Sequence, residues 1–150
     1  MMSTIVKERK ELKEFSSIFS KYEKSISNPL TIVTEANKGI TANAFFDVAI
    51  LSGVKKDLLA DLLNTSLKTL IRYRHERKKL NPANSEQILK LIALYKKGID
   101  VFGDVISLNK WLEKPAFGLG YQTPINLMRT SSGIDLIRDE LNRIEYGDLA

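Results

Sequence analysis

The chain has 150 residues, 43% of them hydrophobic and 27% charged, and 23 Lys and Arg against 18 Asp and Glu leave a net charge of +5. That length and balance describe one globular domain, or two small ones sharing a core. With no Cys and a single His, disulfide frameworks, thiolate or His-rich metal sites and cysteine nucleophiles are excluded, and His75 is the only imidazole a serine nucleophile could use.

Nothing in the sequence is suited to spanning a bilayer. The longest uncharged run, between Lys114 and Arg129, has 14 residues and contains Pro115, Gly118, Gly120 and Pro124. The N-terminus is charged from Lys7 onward and has no apolar signal region, so the expectation is a cytoplasmic protein without membrane contact.

Taken in chain order, apolar residues recur at three and four, the period of helix. Residues 3–26 carry Leu12, Phe15, Phe19, Tyr22 and Ile26, with Ile5 one heptad before Leu12. That is a seam for another helix, either of the same domain or of a second protomer. Ser27-Asn28-Pro29 ends it, because proline disfavours helix in the residue before it. A looser stretch with Gly39 follows, then a helix near Asn43–Leu51 broken at Ser52-Gly53. Lys55–Leu63 and Leu67–Lys79 are the next helices, with Leu58, Leu59, Leu62, Leu63, Leu70, Ile71 and Tyr73 as their apolar positions.

Asn81-Pro82-Ala83-Asn84-Ser85 is a second stop, with Ser85 as N-cap of a helix Glu86–Lys97 and Gly98 as its terminator. Ile99–Leu112 is apolar on two faces and is therefore a buried helix. After a Gly/Pro-rich link, Thr123-Pro124 reads as an N-cap with proline at the first helical position. A final helix with Ile134, Ile137, Leu141 and Ile144 stops near Gly147, and its Asp139 and Arg143 are spaced for an i,i+4 ion pair. The fold class is all-α.

Charge is concentrated in one place. Residues 66–79 hold Lys68, Arg72, Arg74, Arg77, Lys78 and Lys79 against Glu76 alone, the equivalent of the whole chain's excess. Such a helix is either a solvated charged face or a reader of phosphate backbone. Its neighbours favour the second. Ala60 is small enough for two helices to meet steeply, Asn64 tolerates a positive φ at the turn, and Ser66 can cap the second helix. Lys68, Thr69, Arg72 and His75 then face outward, with Arg74, Arg77 and Lys78 nearby. The segment Leu59–Tyr73 resembles the helix-turn-helix of Xre/Cro-like regulators, although Asn64 and Thr65 stand where glycine and an apolar residue are usual. The resemblance implies a second helix in the major groove, and two such helices in a homodimer imply a palindromic operator. Arg72 is the candidate base reader, through guanine O6 and N7. Ser66, Lys68, Thr69, Arg74, His75, Arg77 and Lys78 complete the candidate DNA surface, with Lys68, Arg77 and Lys78 as phosphate contacts.

Three blocks follow in the last third. They are Asn109-Lys110-Trp111-Leu112-Glu113-Lys114-Pro115, then Gly118-Leu119-Gly120-Tyr121-Gln122-Thr123-Pro124, and Arg143-Ile144-Glu145-Tyr146-Gly147. In order and spacing they resemble the toxin-binding domain of Xre/MbcA/ParS antitoxins, with Tyr121 where a small residue is usual and Met128 in place of leucine. The upstream stretch from Leu70 to Ile88 is similar to the same family, with Gln87 in place of a charged residue.

The resemblance implies an N-terminal helix over residues 1–28, a helix-turn-helix domain over 29–98 and a toxin-binding domain over 99–150. It implies an antitoxin paired with a RES-domain toxin that degrades NAD+, a homodimer and an autorepressor of its operon. Arg143, Ile144, Glu145, Tyr146, Gly147 and Asp148 are the candidate toxin plug, while Trp111, Phe117 and the glycines of the link shape a small core. No cofactor, metal or catalytic residue is expected. A stand-alone helix-turn-helix regulator without a toxin is the alternative reading.

Overall fold

The computed structural model describes residues 2–147. Among them it is helical throughout, with no strand: α1 Met2–Tyr22, α2 Pro29–Lys38, α3 Asn43–Ser52, α4 Lys56–Leu62, α5 Leu67–Glu76, α6 Pro82–Phe102, α7 Val105–Leu112, a 3₁₀ turn Phe117–Leu119, α8 Pro124–Leu127 and α9 Ser131–Glu145.

Helix α6 is the axle. Ile88, Leu89, Leu91, Ile92, Leu94 and Tyr95 are all buried along it, while Lys96 and Asp100 are exposed. So wide an apolar surface has to be covered, and α2, α3, α7 and α9 pack against it. Each of those Leu and Ile side chains contributes about 1.5–3 kcal/mol by leaving water. The polar groups that follow them inside are paired. The Tyr95 hydroxyl donates to Asn109 Oδ1 (3.2 Å), and the Asn109 amide donates to the Ser52 carbonyl at the end of α3 (2.8 Å).

Two expected stops prove to be tertiary contacts. Gly98 does not end a helix: α6 runs through it to Phe102, and Gly103 in a left-handed conformation (φ 91°) terminates it. A Cβ at residue 98 would lie 2.5 Å from Leu108 Cδ1, so the glycine lets α7 approach α6. The division expected at residues 98 and 99 thus falls inside one continuous helix, and Ile99–Leu112 is the end of α6 plus a separate α7. Ser85 is not a cap either. Asn81 caps α6 by accepting from the Asn84 N–H (2.8 Å), while the buried Ser85 hydroxyl accepts from the Ile40 N–H (3.1 Å).

The loose stretch around Gly39 is α2, capped by Asn28 with Pro29 at its first turn. Helix α1 ends at Tyr22 rather than Ile26. It uses only its second half on its own domain: Phe15, Ile18 and Tyr22 are buried, and the Tyr22 hydroxyl and Lys21 both bond Asp47 of α3. Residues 3–14 of α1 are exposed on every side. Burial and the Asp47 bond push the Tyr22 hydroxyl pKa far above its ordinary value.

Candidate functional site

The two surfaces picked out by the sequence sit at different places on one body. At the first, α4 ends in a tight turn in which the Thr65 N–H bonds the Ala60 carbonyl (3.1 Å) and the Asn64 N–H bonds that of Asp61 (3.0 Å). This pair of bonds is a Schellman motif, and its left-handed position is Asn64 (φ 55°). Ser66 then caps α5, its hydroxyl accepting from the Thr69 N–H (3.1 Å) and donating to Thr69 Oγ1 (2.8 Å). Leu59, Ala60, Leu62, Leu63 and Leu70 are buried and fix the pair of helices to the core.

The outward face of α5 joins Lys68, Arg72 and His75, all exposed and at spacings of four and three. Ile71 belongs to that face as well. It is 37% exposed, which places an apolar side chain among the cations where a thymine methyl could meet it. Thr69 is half-buried. Arg74 is set apart from the others: its guanidinium lies 3.7 Å from the Phe46 ring centroid of α3, a cation–π contact that turns it towards the protein. Helix α5 stops at Glu76, short of the expected Lys79, with Arg77 left-handed at its end (φ 54°) and Lys78 4.7 Å from the Tyr73 ring. Arg77 and Lys78 are exposed beyond the helix end.

At the second surface, α9 lies along α6. Lys90 of α6 bridges Glu86 (3.2 Å) and Asp135 of α9 (2.8 Å), and Ser131 donates to Glu86. These bonds hold the Glu86 carboxyl below its ordinary pKa, the Ser131 hydroxyl contributing most. Further along, the pairing differs from the expected Asp139–Arg143. Arg143 bonds the buried Glu140, with Nε at 2.9 Å from Oε2, while Asp139 takes Arg138 at 3.3 Å.

Glu145 is tied to Lys97 of α6 at 2.8 Å, which keeps its carboxyl pKa low. Arg143, Ile144 and Glu145 therefore belong to the docked helix, Arg143 and Ile144 half-buried and Glu145 exposed. Tyr146 and Gly147 are the first exposed positions after it, with Tyr146 74% exposed. Asp148 lies outside the described residues.

Trp111 at the end of α7 and Phe117 in the link to α8 are both expected to shape a core. Trp111 does pack inward, against Phe102 (5.7 Å between centroids). Phe117 does not. It is 73% exposed and stands edge-to-face with Tyr121, 68% exposed, at 5.5 Å. The two modules are joined by a buried amide: Gln87 Nε2 donates to the Arg129 carbonyl (2.9 Å), with the Leu62 carbonyl of the turn at 3.5 Å, and Arg129 reaches back to Asp61 (3.0 Å).

Comparison with known proteins assigns both modules. Residues 31–93 match the antitoxin Xre-like helix-turn-helix domain, and residues 97–147 match the antitoxin Xre/MbcA/ParS C-terminal toxin-binding domain. The chain belongs to the Xre/MbcA/ParS antitoxin family. Among its relatives are the antitoxin Xre of Yersinia enterocolitica, 23% identical over 122 residues that cover 81% of this chain and 82% of the relative. Another is the antitoxin Xre of Photorhabdus laumondii, 26% identical over 144 residues, with 87% and 97% covered. The antitoxin accordingly joins a DNA-binding helix-turn-helix to a toxin-binding module. No described helix is long and apolar enough to cross a membrane.

Proposed function

We propose that this antitoxin neutralises a RES-domain, NAD+-degrading toxin by inserting its C-terminal residues into the toxin's active site, and represses its own operon as a homodimer, performing no catalysis itself. The observation that carries the reading is the end of α9. Glu140–Arg143 and Glu145–Lys97 anchor the helix down to residue 145, and an exposed tyrosine and a left-handed glycine (φ 74°) follow it. An exposed aromatic position directly after a firmly anchored helix suits entry into a cleft shaped for a dinucleotide.

The cationic face of Lys68, Arg72 and His75, with Arg77 and Lys78 at its end and Ser66 at the α5 N-terminus, suits operator DNA. In this reading Arg74 contributes charge near the backbone while stacked on Phe46. The domain plan is an N-terminal helix, a helix-turn-helix unit and a toxin-binding unit, the last two sharing α6.

The test is a chain ended at Glu145. Toxin NAD+ consumption should be fully inhibited by the whole antitoxin and uninhibited by the shortened one, while both shift operator DNA equally. A shortened chain that still inhibits contradicts the plug.

A further inference from the structure

We propose that the Phe117–Tyr121 pair is a second, separate toxin contact: an anchor that docks into an apolar recess beside the mouth of the toxin's cleft, while the tail does the blocking. The inference rests on the antitoxin reading but not on the tail mechanism.

Residues 116–122 form a closed loop. The Ala116 N–H bonds the Gln122 carbonyl (3.0 Å), the Tyr121 N–H bonds the Ala116 carbonyl (2.9 Å) and the Gly120 N–H bonds that of Phe117 (3.2 Å). Ala116 and Leu119 are buried beneath it. The loop is also pressed onto α9, since a Cβ at Gly118 would fall 2.1 Å from the Glu140 carboxylate. The scaffold is rigid, and yet its two large side chains point to solvent.

Tyr121 sits there at a cost. Its φ of 62° is left-handed, which disfavours any residue with a Cβ by about 1–2 kcal/mol, and within its own fold its ring meets Phe117 while staying 68% exposed. Two preorganised aromatics in edge-to-face contact have the character of an interface hot spot.

Charge decides the class of occupant. The pair lies within the 14 uncharged residues between Lys114 and Arg129, in a chain that is 27% charged as a whole. A duplex would find no cation in that run, whereas an apolar protein surface finds no charged side chain in it to desolvate. Position decides which protein. The loop lies within the toxin-binding module, and Gly118 abuts Glu140, the residue whose partner Arg143 lies on the last turn of α9 before the tail. The pair therefore stands on the toxin-binding module itself, beside the last turns of α9.

The test combines Phe117→Ala with Tyr121→Gly in the whole antitoxin, titrated against the toxin of the same operon in a catalytically inactive form. Glycine accepts the left-handed backbone, so the melting temperature should hold or rise and operator binding should not change. Toxin affinity should fall on the order of 30-fold or more. An affinity within a few-fold of the parent overturns the anchor. So does a changed sedimentation of the antitoxin alone at unchanged toxin affinity, which would assign the pair to a second copy. Inhibition by the chain ended at Glu145 bears on the tail only, so the two ideas fail separately.

Discussion

At the scale of the residue, one face of one short helix has to hold both affinity and sequence preference. Lys68 and His75 flank Arg72 on α5, and the Ser66–Thr69 bonds fix the start of that helix. Arg72→Ala should cost about 1–3 kcal/mol of operator affinity and bring operator and random DNA to equal binding at matched salt. Competition gel shifts read this directly, and an unchanged operator preference assigns base reading elsewhere on the face, with Ile71 the next position. The turn residues were legible in the sequence because their chemistry is local: Asn64, Ser66 and Ala60 do what their types and spacing dictate. Ser85 and Gly98 look like local punctuation too, but the hydroxyl serves Ile40 and the missing side chain serves Leu108. Spacing along one chain segment carries no record of a partner 45 residues away.

At the scale of the element, α1 is the least satisfied part of the fold. Only its second half has a core to pack on, and a free helix of about three turns is marginal in water. Ile5, Val6 and Leu12 stay exposed along its first half. The sequence allowed docking or self-association; the structure docks Phe15, Ile18 and Tyr22 and leaves residues 3–14 exposed. Removing residues 2–13 should leave the melting temperature within a few degrees of the parent and convert the proposed homodimer to a monomer, as sedimentation equilibrium would show. A dimer that survives the deletion places the twofold contact outside α1. Helices α6, α7 and α9 were visible as apolar stripes, but the end of α6 was not, because Gly98 reads as a terminator while apolar residues continue on both sides of it.

At the scale of the whole molecule, the antitoxin is one body with two unlike faces. The link is physical: the Gln87 amide and the Arg129 guanidinium connect the α4 turn to the loop that starts α9. The sequence announced both faces, one through its cations and the other through its resemblance to a toxin-binding domain. It did not announce the exposed Phe117–Tyr121 pair, since large aromatics beside glycines read as core until the loop is seen to close with both rings outward. The central claim is that the segment after α9 enters the toxin's catalytic cleft. A photo-reactive benzophenone in place of the Tyr146 side chain tests it most directly. Irradiation of the toxin–antitoxin complex should cross-link position 146 to toxin peptides that line the NAD+ pocket, and excess NAD+ should compete. Cross-links confined to the toxin's outer surface, or none at all in a complex that is otherwise intact and inhibited, would contradict it.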